Sequence, residues 1–393
     1  MRAIAHARQA DARRGRTDAR RIGWRCNLGG MHMATWSLCM IVRNESDTLP
    51  RCLASVGDLV DEIVVVDTGS TDGTPDIAQS LGARVHTFAW CDDFSAARNY
   101  AFGLATADYI LWLDADDVIR PEDFPAWKAL KTSLDPAVDA VTAWYHLAFY
   151  GDKPSYSSRL VRVVRREAGF RWQGQVHEYL EVRGNVLHSD AAVCHRPVRH
   201  DADRNLRIYE ARIRAGEMLG ARDTLYYANE LVDHGRMVEA LTQYESFLKM
   251  PDIWKEDAIF ACYRMSDCHL KLGQREEARV AVLRSFLYDA PRSEACCRLG
   301  HAALELGDLD AALAWYRLAI LCRRPPGFMG FLNRACETWL PHIQLCVILA
   351  RLGRIREAYE HNEWAAKFLG DEDPMVVHNR GQLAALLEHS EGA

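Results

Sequence analysis

No stretch of these 393 residues approaches the ~18 uncharged apolar residues that a membrane-spanning helix needs, and the first residues lack the apolar core of a secretory signal. The cytoplasm is therefore the expected location. The chain holds twelve cysteines but no Cys-x-x-Cys pair. Cys262, Cys268, Cys322 and Cys346 fall among Leu, Ala and Ile, where free thiols behave as small apolar side chains rather than as disulfides or metal ligands. Lysine is missing from residues 1–35, which carry eight Arg against only Asp11 and Asp18. The net charge of −6 thus hides +6 in this piece and −12 in the remainder. An acidic body argues against nucleic-acid binding, which depends on Lys and Arg neutralising phosphates. The basic piece is expected to be a disordered extension, upstream of a start at Met31 or Met33.

What is present divides into two halves. From Trp36 to about residue 205, short apolar runs (SLCMIV, EIVVVD, RVHTF, YILWLD) alternate with amphipathic segments near Leu49–Val60, Thr74–Leu81 and Ser95–Ala105. Buried strands separated by helices predict an α/β domain, with a mainly parallel sheet covered on both faces and ligands at the carboxyl ends of its strands.

Over 206–393 the pattern is helical and repeats. Gly235, Gly273, Gly307 and Gly353 are each followed five positions later by Ala240, Ala278, Ala312 and Ala358, at glycine spacings of 38, 34 and 46. Helix, Gly turn and second helix with a small residue at a tight crossing resemble tetratricopeptide repeats, whose period is 34 residues, and predict an all-α solenoid. The last apolar segment, MVVHNRGQLAALLEH, is expected to cap it. Such repeats bind peptide or protein partners, brace a neighbouring domain or make a homodimer.

Three polar phrases end strands in the first half. CMIVRNESDTLPRCL offers Arg43 and Glu45, or simply a helix entry capped by Ser46 or Asp47. EIVVVDTGSTDGTPDIA ends in Asp67 and turns through Asp72; a strand-end carboxylate can accept from a ribose hydroxyl or a base N–H. The phosphate-cradling GxxxxGK[ST] loop is absent. ADYILWLDADDVIRPEDF packs Asp114, Asp116 and Asp117 into four residues. Their mutual repulsion is relieved by a hard divalent cation, Mg²⁺ or Mn²⁺, which prefers oxygen ligands and shares them with a nucleotide diphosphate.

CMIVRNE, VVVDTGSTDGT, DFSAARNYA and WLDADD, in that order, resemble the nucleotide-sugar-binding half of an inverting family 2 glycosyltransferase with the A-type fold. RLVRVVRRE, FRWQGQVHEYL and VCHRP, followed by repeats, are similar more narrowly to the branch containing sublancin-type peptide S-glycosyltransferases. The resemblance implies a nucleotide-sugar donor, commonly a UDP-sugar such as UDP-glucose. Its uridine would lie near Arg43, Glu45 and Asp67, with Asp72, Arg98 and Asn99 supporting the pocket and Asp114 at the ribose and diphosphate. It also implies a metal on Asp116, with Asp114 beside it and His195 as the late histidine. Ile41 and Arg43 depart from the Pro and aromatic residue of many relatives.

The acceptor must lose a proton as it attacks the anomeric carbon. In FRWQGQVHEYL the expected general base is Glu178, with His177 as understudy, and Trp172 either stacks on the sugar ring or simply packs. The acceptor expected beside the repeats is a peptide or protein bearing Cys, Ser or Thr. A lipopolysaccharide or capsule glycan or lipid is the alternative acceptor, and a repeat scaffold with an inactive transferase domain the alternative function. A nucleotidyltransferase would open with a Gly-rich loop where this chain reads VRNESDTLP.

Overall fold

The computed structural model describes residues 33–198, 202–324 and 328–391; all but the last three residues of the basic extension lie outside them. The chain folds in the order β1 (Trp36–Val42), α1 (Leu49–Val56), β2 (Glu62–Asp67), α2 (Thr74–Ser80), β3 (Arg84–Thr87), α3 (Phe94–Leu104), β4 (Tyr109–Trp112), β5 (Asp117–Val118) and α4 (Phe124–Ser133). There follow β6 (Ala140–Tyr150), β7 (Lys153–Arg165), β8 (Trp172–Gln173), β9 (Tyr179–Leu180) and β10 (Val186–His195).

Strands β1 to β4 are parallel neighbours in the order β3-β2-β1-β4, as the alternation of apolar runs and helices predicts. Beyond β4 the sheet becomes mixed: the β6–β7 hairpin enters antiparallel through β7, and β10 runs parallel to β6. Alternate residues of β1 serve the two faces. Leu38, Met40 and Val42 pack with Leu49, Leu53 and Val56 of α1 and Trp127 of α4, while Cys39 joins Ala101 of α3, Val64, Val66 and Trp112 on the other face. The period of two along a strand buried on both sides produces this division. The entry to α1 differs from expectation. Its N-cap is Thr48, whose hydroxyl turns back to Glu45, rather than Ser46 or Asp47.

The helical half comprises α5 (Ala202–Arg214), α6 (Ala221–Asp233), α7 (Met237–Phe247), α8 (Lys255–Lys271), α9 (Arg275–Arg284), α10 (Ser293–Glu305) and α11 (Leu309–Leu321). It ends with β11 (Leu332–Asn333), α12 (Arg334–Glu337), α13 (Trp339–Arg351), α14 (Ile355–Leu369) and α15 (Pro374–Glu391). Gly235, Gly273, Gly307 and Gly353 all have φ between 74° and 77°, and the residue after each bonds the carbonyl five positions back, as in Arg236 N to Leu231 O at 2.8 Å. Only glycine enters that left-handed turn without steric cost, so its recurrence marks each hairpin. The four alanines are all buried at the crossings.

Gly300 makes a second close approach: a Cβ there would lie 2.7 Å from the ring of the buried Tyr316. Gly300→Ala is expected to destabilise the solenoid by about 1–3 kcal/mol through overpacking, read as an earlier urea midpoint.

Residues 34–393 form one compact unit, and the expected seam at 205/206 falls inside α5. One apolar cluster mixes Trp90, Phe94 and Val176 from the first half with Tyr209, Tyr227 and Leu231 from the second. The interval of 46 residues explains itself here: its extra length holds β11 and α12, and β11 pairs antiparallel with β7, adding the solenoid to the sheet.

Candidate functional site

The acidic loop follows the carboxyl end of β4. Asp117 N donates to Asp114 O at 3.0 Å and Asp114 N to Asp117 Oδ2 at 3.1 Å, closing a tight turn that leaves Asp116 facing a cavity. The antiparallel pairing of β5 with β10 sets His195 directly opposite Asp117. His195 Nδ1 lies 3.6 Å from Asp116 Oδ2, 3.9 Å from Asp117 Oδ1 and 2.9 Å from the Tyr145 hydroxyl. Burial pushes Asp116 up to about 6, with Asp114, Asp117 and Glu45 adding repulsion against the pull of His195. His195 is raised: burial opposes its charge, but the three Asp outweigh it.

Asp117 itself is fully buried. Its Oδ2 accepts from Arg162 Nη1 at 2.9 Å, and that guanidinium, also fully buried, lies 4.0 Å from the Trp112 ring centroid and 4.4 Å from that of Tyr145. Asp117 Oδ1 is buried with no hydrogen-bond partner among the described residues. A buried anionic oxygen without a donor is costly, and beside Asp116 and His195 it is a fitting ligand atom for a divalent cation.

Arg98 joins the acidic loop to the second candidate centre. It projects from α3, whose start is capped by Asp93 accepting from Ala96 N, and lies buried between Trp112 and Trp172, 4.9 and 4.8 Å from their ring centroids. Its Nη2 donates to Asp114 Oδ1 at 2.7 Å and its Nε to Glu178 Oε1 at 2.5 Å. Burial would push Asp114 up, but Arg98 and Arg162 hold it below the ordinary carboxylate value.

His177 has φ +50°, a left-handed conformation that costs about 1–3 kcal/mol in a non-glycine residue. Contacts from the helical half hold it there: Nε2 meets Glu230 Oε1 at 2.7 Å, the ring stacks on Tyr226 at 4.3 Å, and its carbonyl accepts from Arg222 at 3.0 Å. This geometry makes His177 a joint between the halves.

Arg43, Glu45, Arg98, Asp114, Asp116, His177, Glu178 and His195 all line one cavity of about 280 Å³. Four other expected site residues are not among those that line this cavity. Asp67 accepts from Gly69 N and Ser70 N within its own turn. Asp72 accepts from Ser46 N and Thr74 and is held down to about 2, because these bonds outweigh its burial. It fastens the loop after β1 to the loop after β2. Asn99 exchanges two hydrogen bonds with the backbone of Trp172, at 3.0 and 2.9 Å. Trp172 is buried edge-on against Trp112, a wall for Arg98 rather than an exposed platform.

The sequence reading missed Asp117 as a distinct group, Arg162, Tyr145, and the cavity-lining Trp90, Phe94, Arg204 and Asn205. Arg162 leaves a signal, a single Arg in the apolar run LVRVV; Arg204 and Asn205 leave none, because they reach the cavity from α5.

A sheet whose first four strands are parallel, with an acidic loop and a histidine at its carboxyl edge, followed by helical repeats, defines an A-type glycosyltransferase fold joined to a tetratricopeptide solenoid. Residues 37–206 match the family described as glycosyl transferase family 2, and residues 293–321 match the tetratricopeptide repeat.

The chain is 48% identical over 153 residues to a TPR repeat-containing protein of Synechococcus elongatus, covering 39% of this chain and 37% of that one. It is 32% identical over 142 residues to the SPbeta prophage-derived glycosyltransferase SunS of Bacillus subtilis, covering 35% and 33%. The chain thus spans about a third of the length of these relatives. Among solved structures, glucosyl-3-phosphoglycerate synthase of Mycobacterium tuberculosis, in complex with Mn²⁺ and UDP-glucose, aligns with a TM-score of 0.34 at 18% identity, over 48% of this chain and 81% of that one.

Proposed function

We propose that the protein transfers a sugar, with inversion, from a nucleotide sugar of the UDP type to a Cys, Ser or Thr side chain of a peptide or protein. The observation that carries this reading is the convergence of Asp114, Asp116, His195, Arg98 and Glu178 on one cavity at the carboxyl ends of parallel strands. The resemblance of FRWQGQVHEYL and VCHRP to sublancin-type peptide S-glycosyltransferases supports a peptide acceptor, and the solenoid supplies a surface for one.

Asp116, Asp117 and His195 would hold Mg²⁺ or Mn²⁺, which supplies Lewis-acid stabilisation of the departing diphosphate. The chain's own groups do the rest. Arg43 and Glu45 line the donor side of the cavity, and Trp90 and Phe94 add apolar wall. Glu178, fixed through Oε1 by Arg98, takes the proton of the acceptor as its sulfur or oxygen bonds to the anomeric carbon. The bond from that carbon to the diphosphate breaks with its electron pair leaving on the nucleotide, and attack from the opposite face inverts the centre.

The test is UDP release by the full chain from UDP-glucose and other UDP-sugars, with Mn²⁺ or with a chelator. Release is expected with the metal and loss of release with the chelator. Asp116→Ala should abolish Mn²⁺ binding in calorimetry together with release; full activity in that variant would overturn the metal assignment.

A further inference from the structure

A second cavity, of about 230 Å³, lies between the sheet and the solenoid, and Glu178 is a wall of both this cavity and the first. Its other walls come from both halves: Trp112, Trp172 and Tyr179 on one side, Tyr226, Trp254, Asp257, Phe260 and Phe331 on the other. The departures of the solenoid from its 34-residue period both contribute. The longer connection between α7 and α8 carries Trp254, and the longer connection between α11 and α13 carries Met329, Gly330 and Phe331. Both insertions are thus spent on the same space, a cavity that Glu178 also lines.

The chemistry of the walls selects the ligand. The charged groups are mostly committed: Glu256 to Arg292, Arg222 to the His177 carbonyl at 3.0 Å, Arg159 to the Ser189 carbonyl, Glu178 to Arg98. Among the described residues the Asp257 carboxylate makes no hydrogen bond and no ion pair, and burial pushes it up to about 6 despite Arg222. A sugar ring would need several uncommitted partners for its hydroxyls, whereas an apolar side chain on a peptide needs aromatic surface and one acceptor for a backbone N–H. Trp254 and Tyr179 are 48% and 42% exposed, so both rings leave open surface at the same cavity.

Resting on the transferase reading above, we infer that this cavity is the acceptor subsite: it receives an apolar or aromatic side chain next to the modified residue of a peptide, delivering the nucleophile to Glu178. The helical repeats then form half of the acceptor site.

The experiment uses the full chain, Mn²⁺, a panel of UDP-sugars and two capped pentapeptides with a central cysteine, one flanked by leucine and tryptophan, the other by serine and glycine. The readout is the ratio of kcat/KM for the two peptides, from the mass gained. The apolar-flanked peptide is expected to be favoured about tenfold or more. Trp254→Ala should bring the ratio near one; because the ratio is internal to each variant, a general loss of activity cancels. Equal use of both peptides by the unsubstituted protein, a preference that survives Trp254→Ala, or UDP release with neither peptide modified would each overturn the inference. Absence of UDP release from every UDP-sugar overturns the transferase reading itself, and the inference with it.

Discussion

Glu178→Gln is expected to lower sugar transfer by about 10²–10⁴-fold while UDP binding stays within about twofold, the range typical of removing a positioned general base. Glutamine keeps the shape of the side chain, and its carbonyl oxygen can still accept from Arg98 Nε, but it cannot take the acceptor's proton. The side chain is only 11% exposed and stands between the donor cavity and the cavity on the solenoid side. That position suits a group that meets the acceptor. UDP affinity measured by calorimetry and turnover measured by product mass separate the two roles. If affinity falls in step with turnover, Glu178 only scaffolds the donor site through Arg98.

Arg162→Met is expected to cost about 3–5 kcal/mol of stability, the usual penalty for leaving one member of a buried ion pair without its partner. Arg162 and Asp117 are both fully buried, and methionine would fill the space between Trp112 and Tyr145 without replacing the charge. The double variant Arg162→Met with Asp117→Asn should recover much of the loss, since the orphaned carboxylate goes with its partner. Urea unfolding monitored by tryptophan fluorescence checks both. A single variant as stable as the parent would show that Asp117 is not held as an ion by Arg162.

The acidic loop illustrates how far the sequence carries. Three Asp in four residues after an apolar run pointed to a cation site at a strand end, and the loop does stand at the carboxyl end of β4. Which partner each carboxylate takes was not legible. Asp114 turns to Arg98, sixteen residues upstream, and Asp117 to Arg162, forty-five residues downstream. His195 reaches the loop because β10 pairs with β5, a register set by the remote β6–β7 hairpin. The partners of Asp67 and Asp72 were not legible either: each carboxylate accepts from nearby backbone N–H groups.

The sequence by itself determined the parallel α/β half, through apolar runs separated by amphipathic segments, and the solenoid, through four Gly turns and four buried Ala. These follow from local periodicity and backbone sterics, which act within a few residues. Only the tertiary structure decided that the halves form one unit, that His177 belongs to Glu230 and Tyr226, and that Trp254 and Phe331 close a cavity on Glu178. The physical reason is competition. A polar side chain takes the best partner within reach, and what lies within reach is set by the packing of elements distant along the chain.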